Sequence, residues 1–223
     1  MLNDIFPNLE KASNELINST FQTLQMLFIS GILSFIFGIL LGIALIVTRP
    51  KGILENRFIY NILDKLINII RSIPFLILMV LLIPLSRSIT GTAIGVLGSI
   101  IPLACGTIPF FARQVETALA EVDTGLIEAS QAMGLSPSQI IIRVYLRESI
   151  PTITRVTMIT AINLIGLTAM AGAIGAGGLG DFAIRYGHQQ RQTDLLWLTI
   201  GIILVIVSII QFIGNRIIKH TTH

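Results

Sequence analysis

Residues 16–48 read LINSTFQTLQMLFISGILSFIFGILLGIALIVT, a run of 33 residues without a charged side chain. The hydrocarbon core of a bilayer is about 30 Å thick, and an α-helix needs about 20 apolar residues to cross it. The run is therefore long enough to span a membrane. Because it is continuously apolar rather than alternating, it predicts a transmembrane helix and disfavours a membrane β-barrel.

Further apolar segments follow along the chain. Of its 223 residues, 53% are hydrophobic and only 12% are charged, whereas a soluble domain carries about 25% charged residues. This composition excludes a soluble enzyme, a disordered protein and a disulfide-stapled secreted domain. We therefore expect an all-α integral membrane protein with five transmembrane helices, at approximately 23–47, 59–85, 90–112, 153–177 and 194–214.

The second of these spans is the least regular, because it would carry Lys65 and Arg71 into the membrane or its interface. An amphipathic helix at the cytoplasmic face is the alternative for this stretch. Pro74 lies in the middle of the span and predicts a kink, since proline removes a helical hydrogen bond. Pro84 is expected to end the span, and the 86–91 segment to form a tight turn.

The distribution of basic residues predicts the orientation. Lys11 alone precedes the first span, whereas three basic residues follow it at positions 49, 51 and 57. Basic residues are enriched in cytoplasmic loops, so the N-terminus is expected outside and the C-terminus inside. The resulting non-membrane parts are an extracytoplasmic segment at 1–19, a cytoplasmic loop at 113–152 and a cytoplasmic tail at 215–223.

Two glycine pairs have the G-x-x-x-G spacing that lets membrane helices approach closely. They are Gly38 with Gly42 and Gly91 with Gly95. In a chain with 19 glycines such pairs also arise by chance. We therefore expect close helix contacts at both pairs, the alternative being that the spacing arose by chance.

The sequence contains no motif that could drive transport. It has no phosphate-binding loop, no nucleophile elbow and no histidine or cysteine cluster with metal-ligand spacing. The spans other than the second have no acidic or basic residue near their middle, which argues against a proton relay. We therefore expect no enzyme activity, no catalytic residue, no bound metal and an external source of energy.

The 113–152 loop carries strong local signals. Leu126 to Met133 is compatible with a helix, and Gly134 is placed to end it in a left-handed conformation. Ser136 and Pro137 predict the start of a second helix. Apolar residues within this helix–turn–helix suggest a docking surface, the alternative being that they cover the protein's own helices; they are Ile127, Ala132, Met133 and Leu135.

Glu128, Ala129 and Ser130, with Gly134 six positions after the glutamate, resemble the EAA loop of binding-protein-dependent ABC importer permeases. In that family the loop forms a coupling helix that sits in a cleft of the cytoplasmic ATPase subunit. The family usually has proline where this chain has Arg147. The resemblance implies a set of coupling residues: Glu128, Ala129, Ser130, Ala132, Met133, Gly134 and Leu135.

Two further stretches resemble the methionine-uptake branch of these permeases. They are Arg71-Ser72-Ile73-Pro74-Phe75 and the glycine-rich sequence AGAIGAGGLG at 171–180. The resemblance implies the type I ABC importer permease fold over 20–211 and transport of methionine, as the D or L form or both. Another amino acid, glycine betaine or a phosphonate is the alternative substrate, and a passive channel is a less favoured interpretation.

The resemblance also implies partners and a location. Two copies of an ABC ATPase subunit would bind ATP and Mg, so this chain itself needs no cofactor. An extracytoplasmic substrate-binding lipoprotein would deliver the solute to the permease in the cytoplasmic (inner) membrane of a bacterium. Because five helices are too few to enclose a pathway, we expect a homodimer with the pathway on its two-fold axis. Nucleic acid is not an expected partner.

The translocation pathway is expected beside two irregular segments. Seven glycines between Gly166 and Gly187 disfavour a robust helix. Proline inside a transmembrane helix leaves backbone groups that are tolerated where they face protein or water. The candidate pathway residues are Ser72, Pro74, Phe75, Thr168, Met170 and Gly172; for Met170, ordinary packing is the alternative.

Overall fold

A computed structural model describes residues 7–221, and the regular structure in that range is helical throughout. The helices are α1 (Leu9–Thr48), α2 (Arg57–Ser72), α3 (Phe75–Leu81), α4 (Ile83–Thr90), α5 (Gly95–Ala120), α6 (Thr124–Ala132), α7 (Pro137–Ile140), α8 (Leu146–Glu148), α9 (Ile150–Ala171), α10 (Gly178–Phe182) and α11 (Thr193–Thr221). Three π-helical segments adjoin them at Ile141–Tyr145, Gly172–Ala176 and Ala183–Gln189.

Four helical segments are long and apolar enough to cross a membrane: α1, α5, Ile150–Ala176 and α11. They correspond to the first, third, fourth and fifth predicted spans, although α1 begins well before residue 23. Their outward faces are apolar. Of the most apolar window of α11, only 11% is buried within the protein. Such a surface fits a lipid environment, since soluble monomers rarely expose large contiguous apolar patches.

The predicted second span is not one kinked helix. Helix α2 ends at Ser72, and the next two residues have extended backbone, with ψ 123° at Ile73 and ψ 135° at Pro74. The ring of a proline disfavours helical geometry in the residue before it, which explains why the helix stops here. Pro84 does not end the span either, because it lies in the first turn of α4.

Helix α2 is amphipathic, as the alternative interpretation of this stretch supposed. Its polar side carries Asp64 and Asn68, while Phe58 and Leu66 are exposed apolar residues and Ile67 is buried. The helix starts at a side-chain cap, in which Asn56 Oδ1 accepts a hydrogen bond from the backbone N–H of Ile59 at 3.1 Å. Its ends and faces are thus defined by local sequence.

The two glycine pairs have different roles. A Cβ atom on Gly38 would lie 2.5 Å from Phe111 Cδ1, and one on Gly42 would lie 2.6 Å from Val115 Cγ1. The expected close helix contact is therefore confirmed at this pair, and the structure identifies α5 as the partner of α1. The same expectation is wrong at Gly91 and Gly95, which have φ of 78° and 74° and open space around them.

The second glycine pair instead shapes a connection. Helix α4 extends through Thr90, so most of the predicted 86–91 turn is helical, and Gly91 ends that helix with its N–H bonded to the Arg87 carbonyl at 3.0 Å. Helix α5 then begins at Gly95 and continues through Pro102 and Pro109 to Ala120.

The described chain forms two compact units. The first consists of the described residues up to Ile32 with Pro74–Gly106 and Ala161–Gln211. Its core contains two clusters of buried residues: Met26, Met79, Leu103, Leu164, Ala171 and Ala176 in one, and Ala12, Leu16, Leu179, Phe182 and Leu195 in the other.

The second unit consists of Leu33–Ile73, Thr107–Thr160 and the described residues from Phe212. Its larger core cluster joins side chains of α1, α5, the 121–149 segment and α9. The buried members are Ile46, Val47, Phe111, Val115, Ala118, Leu119, Val122, Ile127, Ile140, Val144, Tyr145 and Val156. The 121–149 segment is therefore packed as part of this unit.

Candidate functional site

The candidate coupling loop begins with α6, which is capped at its N-terminus. Asp123 Oδ1 accepts a hydrogen bond from the Gly125 backbone N–H at 2.8 Å. Within the helix, the Ser130 hydroxyl donates to the Leu126 carbonyl at 2.7 Å. These local bonds satisfy polar groups that a short helix would otherwise leave unpaired.

Gly134 ends α6 as the sequence predicts. Its φ is 80°, a left-handed backbone conformation that residues with a Cβ rarely adopt. The Gly134 N–H donates to the Gln131 carbonyl at 2.9 Å, and the Leu135 N–H donates to the Ser130 carbonyl at 3.1 Å. This pair of bonds is the Schellman motif, which closes the helix and reverses the chain sharply.

Helix α7 follows at once through a capping box. Gln139 N–H donates to Ser136 Oγ at 3.4 Å, and the Ser136 N–H donates to Gln139 Oε1 at 2.9 Å. Pro137 occupies the first turn, as expected from its fixed φ. The predicted helix, sharp turn and second helix are confirmed.

The exit of the loop lies beyond Arg147, which is exposed within the short helix α8. Ser149 leaves helical geometry, with φ −89° and ψ 3°, and Pro151 lies in the first turn of α9. The chain thus makes its break near Pro151 rather than at Arg147.

The apolar residues of this loop point in two directions. Ile127 is buried in the core cluster and Leu135 packs against it, so the prediction that these two form an exposed surface is wrong. Ala132 and Met133 are exposed, Met133 by 71%. One side of the helix–turn–helix therefore covers the protein's own core and the other side is free to meet a partner.

The free side has a defined apolar face. Leu126, Ala129 and Met133 are spaced three and four residues apart, so they share one side of α6, and all are exposed. Glu128 is also exposed and has no hydrogen-bond or ion-pair partner within residues 7–221. Of the remaining predicted coupling residues, Gly134 is exposed, while Ser130 is buried beneath them.

An acidic cleft of about 250 Å³ adjoins α6. It is lined by Ala118, Glu121, Val122, Asp123, Leu126, Glu148, Ser149 and Thr152. Two hydrogen bonds join residues of its lining: Ser149 Oγ donates to the Ala118 carbonyl at 3.3 Å, and Thr152 Oγ1 donates to Glu121 Oε2 at 3.3 Å. These bonds fasten the end of α5 to the start of α9. Sequence reasoning did not identify this cleft.

Tyr145 is a further feature that the sequence did not single out. Its side chain is 2% exposed and belongs to the core cluster under the loop. Burial raises the pKa of the Tyr145 phenol, although the nearby positive charge of Arg49 opposes this shift. The phenol therefore remains neutral at physiological pH.

The glycine-rich segment is held by two side chains of α1. Gln22 Oε1 accepts a hydrogen bond from the Gly178 N–H at 2.7 Å, and Thr23 Oγ1 accepts one from the Leu179 N–H at 2.8 Å. These bonds cap α10 from a helix 156 residues away in sequence. No local signal could have indicated them.

The predicted pathway residues near this segment differ in exposure. Thr168 is 2% exposed and its hydroxyl donates to the Ile165 carbonyl at 2.7 Å, while Met170 is 39% exposed. A Cβ on Gly172 would lie 2.5 Å from the backbone nitrogen of Asp181, so this glycine allows two backbone segments to touch.

The other predicted pathway residues flank the helix break. Ser72 is exposed and its hydroxyl donates to the Asn68 carbonyl at 2.7 Å, and Pro74 is exposed. Phe75 is half-buried and packs against the cluster that contains Met79. A lining role for these residues stays a prediction.

An ion-pair network lies next to α10. Arg185 contacts Glu15 Oε1 at 2.8 Å and Asp181 Oδ2 at 2.7 Å. The hydrogen bond to Glu15 and the adjacent carboxylates raise the pKa of the Arg185 guanidinium, despite the opposing effect of partial burial. Arg185 also lies over the Tyr186 ring, 5.6 Å from its centre. The network joins the start of α1 to the region after the glycine-rich segment.

These features define an α-helical membrane protein that carries a packed helix–turn–helix between two of its long apolar helices. Residues 34–222 match the family model of the binding-protein-dependent transport system inner membrane component, and the chain belongs to this family.

Similar proteins cover nearly the whole chain. A probable D-methionine transport system permease protein MetI of Vibrio cholerae is 46% identical over 95% of this chain and 94% of its own length. The corresponding Pasteurella multocida protein is 40% identical over 92% and 94%. A chain of a solved structure describing inward-facing conformations of the MetNI methionine ABC transporter is 43% identical, with a TM-score of 0.93 over 96% of this chain and 99% of that one.

Proposed function

We propose that this chain is the permease subunit of an ATP-binding-cassette importer that moves methionine, as the D or L form or both, across the cytoplasmic membrane of a bacterium. The observation that carries the proposal is the 46% identity to a probable D-methionine transport permease over 95% of the chain. The exposed face of α6 adds independent support, since it offers a partner a pre-folded apolar surface.

The proposed topology has five crossings, with the N-terminus outside and the C-terminus inside. The predicted 59–85 span supplies the second crossing, and its first part is the amphipathic helix α2. Two considerations favour this arrangement: the stretch lies between two apolar helices, and the basic residues cluster after the first span. Residues 1–19 would then be extracytoplasmic, and the 113–152 loop and the 215–223 tail would be cytoplasmic.

The proposed source of energy is a separate ATPase subunit, which binds ATP and Mg. One ATPase subunit would grip the coupling helix of each permease chain of a homodimer. The contacts would be made by the exposed residues Glu128, Ala129, Ala132 and Met133, while Ser130, Gly134 and Leu135 hold the helix in place. A bound partner shifts the equilibrium between two conformations only if it binds them with different affinities. The free energy of these contacts must therefore differ between the two conformations of the permease.

The proposed pathway lies on the two-fold axis of the homodimer, and a substrate-binding lipoprotein delivers methionine to its outer mouth. Irregular backbone at membrane depth is tolerated where it faces protein or a water-filled cavity. The proposed pathway residues lie beside irregular backbone: the group near the end of α2 flanks the extended pair 73–74, and the 168–172 stretch precedes the non-helical residues Ile174 and Gly175. This supports Thr168, Met170 and Gly172 as residues near the pathway.

The decisive experiment is reconstitution of the chain with its ATPase and binding protein in vesicles. Uptake of radiolabelled L- and D-methionine is measured with ATP and Mg, with ADP, and with an excess of unlabelled competitor solutes. We expect methionine uptake that requires ATP hydrolysis. Methionine uptake that is the same with ATP and with ADP would instead identify a passive channel. ATP-driven uptake of another amino acid, glycine betaine or a phosphonate, but not methionine, would contradict the proposed substrate.

A further inference from the structure

Arg113, two turns before the end of α5, contacts two carboxylates. Its Nη2 lies 2.6 Å from Asp64 Oδ1 on α2, and its Nη1 lies 2.6 Å from Glu116 Oε2 on its own helix. Nη2 also donates to Asn68 Oδ1 at 3.3 Å. The side chains are only partly accessible, with 23% of Arg113, 31% of Asp64 and 12% of Glu116 exposed.

The charges of this cluster are not balanced. One cation and two carboxylates leave a net charge of −1, although a single carboxylate would neutralise Arg113. Because Glu116 is three residues from Arg113 on the same helix, it stays beside Arg113 whatever the neighbouring helices do. Asp64 belongs to another helix and can leave. Arg113 therefore has one permanent partner and one detachable partner.

This arrangement lowers the electrostatic cost of separating α2 from α5, while the buried apolar contact of Ile67 with Leu45 and Ala112 holds the helices together in the closed state. A partly buried ion pair resists opening mainly because the charge left behind loses its partner. Here Arg113 would keep Glu116, and Asp64 would keep its hydrogen bond from Asn68 Nδ2, which is 3.2 Å long and lies on α2. The charged side chain on each helix thus keeps an ion-pair or hydrogen-bond partner after the helices separate.

The Arg113 cluster also lies between the proposed coupling helix and the helix break that follows α2. Beyond Arg113, α5 packs through Val115 and Leu119 against the core cluster that contains Ile127 of the coupling helix. Helix α2, on the other side, ends one residue before the extended pair Ile73 and Pro74. A displacement of the coupling helix can therefore reach the break through α5 and the Asp64 contact.

We propose that Arg113 is a reversible latch between α5 and α2, with Glu116 as its permanent partner and Asp64 as the contact that opens and closes during the transport cycle. This inference rests on the proposed function. Asp64, Arg113 and Glu116 act as positioning residues and need not touch the solute.

The test uses the assembled transporter in vesicles and measures ATP hydrolysis and methionine uptake on the same sample. Asp64→Asn removes the negative charge of the detachable contact and leaves at most a neutral hydrogen bond, so hydrolysis continues while uptake per ATP falls about fivefold or more. Glu116→Gln removes the permanent partner and makes opening costly, so hydrolysis and uptake fall together. Glu55→Gln is the control, because it removes a carboxylate paired with the exposed Arg57 and leaves the latch intact.

The latch predicts different defects in the two variants: a lower ratio of uptake to hydrolysis in Asp64→Asn, and a parallel loss of both activities in Glu116→Gln. Assembly of each variant is checked by co-purification of the ATPase. If Asp64→Asn does not assemble, Asp64→Glu replaces it and is expected to restore wild-type coupling. An uptake-to-hydrolysis ratio that stays within twofold of the Glu55→Gln value in Asp64→Asn would overturn the latch, as would identical defects in both variants. Failure of the wild-type complex to take up methionine would instead refute the proposed function.

Discussion

Replacing Gly42 with alanine should destabilise the protein, although alanine is the better helix former. The new Cβ would lie 2.6 Å from Val115 Cγ1 and 2.9 Å from the Ala112 carbonyl oxygen. Val115 and Ala112 are fully buried, and a backbone oxygen cannot move aside as a side chain does. Overpacking of this kind costs about 1–3 kcal/mol.

Gly201→Ala is the matched control on α11. A Cβ at Gly201 would meet no atom within 4 Å, so this substitution gains up to about 1 kcal/mol from helix propensity. Both substitutions gain the same helix-propensity term, so the two variants should differ by the overpacking cost of about 1–3 kcal/mol, which corresponds to roughly 2–12 °C in melting temperature for a chain of this size.

The assay is thermal unfolding of the detergent-purified protein, followed by size-exclusion chromatography of heated samples. We expect Gly42→Ala to lose its folded peak at a lower temperature than wild type, and Gly201→Ala at the same or a higher temperature. Equal or increased stability of Gly42→Ala would refute the inference that α1 and α5 touch through this glycine.

Three further substitutions test other contacts of the protein. Thr23→Val leaves the Leu179 N–H without its acceptor and should cost about 1–3 kcal/mol in thermal unfolding, whereas Thr23→Ser should not; equal melting of the two variants would contradict the capping role. Gly134→Ala should destabilise by about 1–2 kcal/mol because of its left-handed backbone, with Gly134→Asn affected less; the reverse order would argue against strain. Pro74→Ala should lower ATP-driven uptake because it removes the steric cause of the break after Ile73, and unchanged uptake would remove the proposed role of the break.

The sequence predicted best those features that depend on neighbouring residues. The left-handed Gly134, the helix start at Ser136 and Pro137 and the apolar length of α1 each follow from a short stretch, because helix ends and membrane crossing are local properties. The same holds for the amphipathic character of α2. The bounds of the candidate coupling helix therefore follow from the residues on either side of it.

The errors came from features that depend on distant residues or on competing local rules. Gly91 and Gly95 have the spacing of a helix contact, but spacing does not say whether a neighbouring helix is present. The bonds from Gln22 and Thr23 to the glycine-rich segment join residues 156 positions apart. The break at Pro74 was expected as a kink, since the sequence does not tell whether the helix before a proline stops or bends.

The proposed function requires the ATPase subunit to bind the exposed face of α6. Met133→Glu tests it most directly, because Met133 is 71% exposed and its replacement should leave the fold of the chain unchanged. Ser138→Glu adds the same charge at an exposed position outside α6 and serves as the control. We predict that Met133→Glu purifies with wild-type melting temperature but no longer retains the ATPase subunit, while Ser138→Glu retains it. Full retention of the ATPase by Met133→Glu, with normal ATP-driven uptake, would contradict the claim.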